Sequence, residues 1–325
     1  MNLVSIIIPF KNPGKYFKPC LESIRNQSYP HIEVLLIDDH SKKEDVEVAR
    51  MVQIKDERFQ LHRSNGKGII NALQTGLDLA RGEFISRMDA DDLMTKDKIE
   101  LMHSALLKSN QKSVCTAFVS YFASEKEIQD GFKKYENWLN KLTAEESNFT
   151  QIYKECTIPS PCWMAKKLDI QNIGGFKGLT YPEDYDLVFK MYYSKFKIVS
   201  VKKILHHWRD HPNRITRTSE TYQMENFTTL KLKYLLQYEI NHERVILWGA
   251  GKKAKRIAKL LLEKKVHFDW VTENTNKIGK VIYGKLVLDL GRLKDKNQKV
   301  IICAISQKGF ETPRNSYYNR FISFY

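Results

Sequence analysis

The chain has 325 residues, 42% of them hydrophobic, and a formal net charge of +15, which suits one large domain with a smaller one and excludes a disordered or low-complexity chain. The positive balance calls for an anionic partner, but the lysines are dispersed and no aromatic-basic or zinc-finger pattern accompanies them, so nucleic acid is not expected among the partners. Cys20, Cys115, Cys156, Cys162 and Cys303 show no metal-ligand spacing and are read as buried reduced thiols, and no stretch approaches the roughly 20 apolar residues of a membrane helix.

The opening MNLVSIIIPFKN has no basic region before its apolar run, and Pro9 ends that run, so a strand at 4–8 is expected rather than a signal peptide. The chain is therefore read as cytoplasmic, peripheral on the inner face of a membrane. Phe17, Leu21 and Ile24 recur at helical spacing, and IEVLLIDD at 32–39 reads as a second buried strand ending in two acids. A helical stripe of Ile69, Leu73, Leu77 and Ala80 follows, broken at Gly82, and then the strand EFISRM. This β-α-β-α-β order implies an α/β fold with a mostly parallel sheet flanked by helices, which binds ligands beyond the carboxyl ends of its strands. Pro9, Asp38, Asp39 and the acids at 89–92 all fall there, so they are expected to line one crevice.

Residues 86–93, SRMDADDL, place three carboxylates in four positions. Two explanations compete: the N-cap of a helix from Lys96 to Leu107, or ligands of a hard divalent metal. Further on, AFVSYF reads as a strand, 132–155 as an amphipathic helix, and CTIPSPCWM as a loop leading to a short strand. GGFKGLTYPEDYDLVFKMYY gives a glycine turn and a helix with Leu187, Val188, Met191 and Tyr192 on one face. Its first-turn acids Glu183 and Asp184 either favour the helix dipole or belong to a site. The pattern restarts near 243, where RVILWGAGKKAKRIAKLLLEKKVHFDWVTEN supplies strand, Gly-x-Gly-x-x-Ala turn, lysine-rich helix, strand and terminal acid. Gly249, Gly251 and Ala254 match a dinucleotide fingerprint, with Glu273 near the ribose position; only about 80 residues remain, roughly half of a full Rossmann unit. KVIICAI adds one more strand and the last segment reads as irregular. Domains at 1–240 and 241–325 are expected, the second small and Rossmann-like, with a role in assembly or as a second nucleotide site at Gly249, Gly251 and Glu273.

Taken in order, VSIIIPFKN, IEVLLIDDHS, GKGIINALQTGLDLARGEFISRMDADD, GGF and PEDYDL resemble an inverting family 2 glycosyltransferase of GT-A fold, over about residues 3 to 215. The resemblance implies a nucleotide-diphosphate sugar donor, a glycan or lipid-linked acceptor and Mn2+ or Mg2+ as cofactor. It sets Pro9 and Phe10 beside the base and makes Asp39 an acceptor from it. Gly68, Arg87 and Asp89 would line the donor site, and Asp91 would ligate the metal with Asp89. Asp92 would orient its neighbours, and Asp184, next to Glu183, would be the general base. HHWRDHPNRITRTS is similar to the family's Tyr-Arg-x-His segment, which puts Arg209 and His211 near the diphosphate, His211 as a third metal ligand. Arg214 and Arg217 would serve phosphate groups on an acceptor. Gln74, where an asparagine is usual, and Ile69-Ile70 depart from the pattern and bear on sugar and base preference. A nucleotidyltransferase and an NAD-dependent enzyme built on the second glycine motif are the alternatives.

Overall fold

The computed structural model describes residues 2–123, 127–212, 214, 222–295, 297–305 and 310–325. The chain divides into two compact units, Met1–Thr150 with Thr157–Thr218, and Gln151–Cys156 with Ser219–Tyr325.

The first unit carries β1 (Val4–Phe10), β2 (Ile32–Asp38), β3 (Phe59–Arg63), β4 (Phe84–Arg87), β5 (Leu93–Met94), β6 (Ser113–Ala123), β7 (Trp163–Lys166) and β8 (Lys197–Asp210). They form one sheet in the order β3-β2-β1-β4-β7-β6-β8-β5. Strands β1 to β4 pair in parallel, as does β6 with β8, while β7 runs antiparallel to both neighbours and β5 antiparallel to β8. Every residue of β1 and β2 is buried, which is why both read as unbroken apolar runs.

Alternate side chains of β1 serve opposite faces. Val4, Ile6 and Ile8 join a core with α1 (Phe17–Arg25) and α4 (Lys98–Leu107). On the other face α3 (Ile69–Leu79) lies so close that a Cβ on Gly76 would stand 2.4 Å from Ile7 Cγ2; only glycine admits that approach. Register places Phe10 opposite Asp38 and Ile7 opposite Arg87, so the carboxyl ends of β1, β2 and β4 lie side by side. The β5–β8 pairing, with Leu93 opposite His207, brings residues 206–211 against the turn at 88–92.

Several elements differ from the sequence expectation. Helix α4 starts at Lys98, and its N-cap Asp97 makes no side-chain capping bond. The acids at 89–92 lie in the turn between β4 and β5, so helix capping does not account for them. The helix expected over 132–155 is α5 (Asp130–Ala144), which stops where Glu146 takes a positive φ of 52° before a short turn at Asn148–Gln151. Strand β8 escapes the sequence reading because exposed Lys202, Lys203 and Ile204 break its alternation, with a matching register shift beside Phe118 in β6.

In the second unit, β9 (Arg244–Trp248), β10 (Phe268–Val271), β11 (Val281–Ile282), β12 (Lys285–Leu288), β13 (Lys299–Cys303) and β14 (Asn319–Ser323) form a sheet in the order β11-β12-β10-β9-β13-β14. All its pairings are parallel except the β11–β12 hairpin. The final segment, expected to be irregular, supplies β14, paired along its whole length with β13. The helix Met224–Tyr234, which a boundary at 240 would leave in the first unit, belongs to this one.

Candidate active site

Asp39, one residue past β2, is nearly inaccessible. Its Oδ1 accepts the Gly68 N–H at 2.8 Å, and the Lys11 ammonium stands 3.6 Å from Oδ2. Gly68 has φ +93°, and a Cβ there would meet the Tyr181 hydroxyl at 3.2 Å, so a side chain at this position would be strained and crowded. Phe10 turns inward onto Phe17, with ring centroids 4.8 Å apart, and Pro9 is also buried. What β1 offers the strand-end face is therefore its backbone more than the Phe10 ring.

Arg87, the last residue of β4, joins the two acid groups that the sequence sets far apart. Its Nε donates to Asp89 Oδ1 at 2.9 Å and its Nη1 to Glu183 Oε1 at 3.2 Å. Asp89 Oδ2 also accepts the Ser160 hydroxyl at 3.4 Å. Glu183 and Asp184 open α7 (Glu183–Tyr193), where three first-turn acids meet the positive helix end. Burial, and then the neighbouring Glu183 charge, push the Asp184 carboxyl up to about 7, against the pull of Arg87 and the Tyr185 N–H. Asp184, Glu183, Arg87 and Ser160 border a small cavity whose other walls are apolar, Leu73, Trp163 and Leu187 among them. Burial, and then the charges of Glu183 and Asp39, raise the Tyr181 hydroxyl pKa.

On the other side of Asp89, Asp91 remains 29% exposed and its Oδ2 lies 2.9 Å from His211 Nε2. His211 Nδ1 is buried and makes no hydrogen bond among the described residues. The His211 ring lies 4.6 Å from that of Tyr16. The Arg209 guanidinium is held between Tyr16 and Phe122, 4.7 and 4.4 Å from their centroids, and its Nε donates to the Asp91 carbonyl at 2.6 Å. Arg214 lies 5.3 Å from the Trp208 ring, and Arg217 falls outside the described residues. Asp92 is buried, and burial with the charges of Asp91 and Asp89 pushes its carboxyl well above the usual range. His206 faces it at 2.9 Å, and burial with the nearby Lys98 charge holds that imidazole well below its ordinary pKa.

Among the described residues, no three His, Cys, Asp or Glu side chains gather into a metal-holding group. The pattern-breaking Gln74 ties α3 to the glycine turn, its Oε1 accepting the Phe176 N–H at 3.0 Å.

Sequence reasoning missed Tyr16, Ser160, Tyr181, Lys98 and His206. Only Lys98 left a signal: it occupies a buried stripe with Met102 and Leu106, at four-residue spacing.

In the second unit the Gly249 N–H donates to Val271 O at 2.9 Å, and its carbonyl accepts Trp270 Nε1 at 2.6 Å. At φ +121° a Cβ there would stand 3.2 Å from Ala304 O, so closure of the β9 turn against the end of β13 is reason enough for this glycine. Gly251 has open space where a Cβ would stand, and Glu273 is exposed two residues beyond β10.

The family model "Glycosyl transferase family 2" matches residues 5–174. A glycosyltransferase of Streptococcus pneumoniae, GlyG, is 25% identical over 222 residues, covering 67% of this chain and 74% of that one. An uncharacterized glycosyltransferase of Rickettsia typhi is 30% identical over 191 residues, 58% of each chain. Among solved structures, residues 1–349 of S. aureus TarS in complex with UDP-GlcNAc superpose with TM-score 0.56 at 17% identity, over 80% of this chain and 71% of that one. A mannosyltransferase of Pyrobaculum calidifontis in complex with GDP-Man and Mn2+ gives TM-score 0.50 at 19% identity, over 73% of this chain and 62% of that one. These likenesses identify the GT-A-like fold of the curled sheet.

Proposed function

The chain belongs to glycosyl transferase family 2 and is a glycosyltransferase, and from that premise we propose that it moves a sugar from a nucleoside-diphosphate sugar to a hydroxyl of a surface glycan or lipid-linked acceptor, with inversion. The observation that carries this reading is Asp184, a carboxyl raised to about 7 at the mouth of α7 and linked through Glu183 and Arg87 to Asp89.

A general base needs a pKa near the working pH, and Asp184 has one because it is desolvated beside a second carboxylate. Its ionised form takes the proton of the acceptor hydroxyl as that oxygen attacks the anomeric carbon from the face opposite the departing diphosphate. Arg87 holds Glu183 and Asp89 in place and limits how far the Asp184 pKa climbs. Asp39, fixed by Gly68 and Lys11, is suited to accept from a base N–H. Arg209, braced between two rings, is suited to diphosphate oxygens.

The Asp91 carboxylate and His211 imidazole are donors that Mn2+ or Mg2+ accepts, and His211 Nδ1 makes no hydrogen bond among the described residues. Asp91 and His211 would be the side chains that hold such an ion at the donor site. When bound, such an ion neutralises the charge that grows on the leaving diphosphate. Among the described residues no helix is long and apolar enough to cross a membrane; a net charge of +15 favours an acceptor on an anionic surface or one bearing phosphate.

The test supplies UDP- and GDP-sugars with manganese and follows nucleotide release and the anomeric configuration of the product. Asp184→Asn is expected to lower transfer by about 10²- to 10⁴-fold with donor affinity kept. Retained transfer in that variant, or a retained configuration in the product, overturns the assignment.

A further inference from the structure

Behind the exposed Asp91 lies a chain of polar side chains that touches no solvent. Lys98, His206 and Asp92 are each no more than 1% exposed. The Lys98 ammonium donates to the Pro161 carbonyl at 2.7 Å and to His206 Nδ1 at 3.1 Å. An imidazole accepting at Nδ1 carries its proton on Nε2, and that N–H donates to Asp92 Oδ2 at 2.9 Å. Asp92 Oδ1 in turn accepts the Arg209 backbone N–H at 2.7 Å. Lys98 and Asp92 are thus joined through the His206 ring.

Packing does not require this arrangement. Lys98 shares its stripe with Met102 and Leu106, and an apolar residue there would avoid the desolvation of a buried ion. What the hydrogen bonds provide is registry among four segments: the loop at 159–162, α4, β8 and the turn at 89–92. Both ends of the chain reach the donor face. Pro161 follows Ser160, whose hydroxyl donates to Asp89 Oδ2. Arg209 lies two residues before His211, whose ring meets Asp91.

We propose that Lys98 and His206 are positioning residues of the transfer site, setting Asp89, Asp91 and His211 at the spacing at which a divalent cation and a nucleoside diphosphate are gripped together. The inference rests on the reading of Asp91 and His211 given above. Lys98 and His206 touch no substrate; they act through Asp92 and Pro161. A glutamine at 206 has an oxygen to accept from Lys98 and an N–H to donate to Asp92, so it reproduces the neutral ring, while leucine fills the space and breaks the chain.

Manganese titrations of the full chain with UDP, and separately with GDP, read by the free-ion paramagnetic resonance signal, test this without relying on turnover. His206→Leu and Lys98→Met are expected to weaken manganese-nucleotide binding at least tenfold per folded molecule. Each should raise the manganese concentration for half-maximal transfer by a similar factor, with KM for acceptor unchanged. His206→Gln is expected to restore binding to within about threefold of the native chain. A purely structural role would lower the melting temperature and the active fraction but leave the binding constant of the folded molecules alone, and that result overturns the proposal. So does a glutamine variant as impaired as the leucine one. Should leucine prevent folding, His206→Asn, whose shorter amide cannot span both partners, takes its place with the same expectation. If the native chain itself binds no manganese with either nucleotide, the Asp91 and His211 reading falls and this inference with it; if it binds and the variants match it, the inference alone falls.

Discussion

Asp184 is under two opposed influences, and its pH behaviour follows from them. Burial and Glu183 raise the carboxyl to about 7, while Arg87 draws it down. A base is competent only when ionised, so transfer is expected to rise with pH through a limb centred near pH 7 in a kcat/KM profile. Arg87→Gln removes the downward pull and should move that limb to higher pH; a limb that stays in place excludes Asp184 as the group reported. The same shift bears on stability. The folded pKa of about 7 exceeds the unfolded value of about 3.9, so the folded state binds more protons between those values and loses stability as pH rises through that window. Asp184→Asn is accordingly expected to melt on the order of a few degrees higher than the native chain at pH 8 and equally at pH 4. The acids themselves are legible in the sequence as DADD and EDYD. Their common link through Arg87 is not, because nothing local relates residue 87 to residue 183.

At the scale of elements, the hydrophobic pattern found the strands buried on both faces and the helices with one apolar face, and failed where the β6–β8 register shifts. β1 and β2 are buried throughout and read as such, whereas β8 alternates poorly around Lys202-Lys203 and went unread. The contact between α3 and β1 depends on Gly76. An added methyl would stand 2.4 Å from Ile7 Cγ2 and 3.3 Å from Ile37 Cγ1, both on fully buried side chains. Gly76→Ala gains about 1 kcal/mol of helix propensity, yet overpacking of about 1–3 kcal/mol should outweigh it. The urea midpoint is expected to fall at unchanged m-value, and a rise would mean that α3 can slide on the sheet. The turn at Gly249 gives the opposite lesson. The dinucleotide pattern is formally present, but the Ala304 carbonyl beside it explains the first glycine without a ligand.

For the whole molecule, the division between units falls at residue 218 rather than near 240, and the buried Leu230, Leu232, Tyr234 and Leu235 lie on the second unit's side of it. A fragment 219–325 is therefore expected to show a cooperative melt at a higher temperature than 241–325, which leaves the apolar surface covered by those side chains open to water. Equal melting of the two would return the boundary to 240. The sequence by itself determined the order of buried strands and the acids at their tips, since burial on both faces and the residues that end a strand are written in consecutive positions. Only the tertiary structure decided which acid meets which partner. Arg87 and Glu183 are 96 residues apart, Lys98 and His206 are 108 apart, and Asp91 and His211 are 120 apart. The desolvation that sets the charge state of Asp184 exists only once those segments close around it.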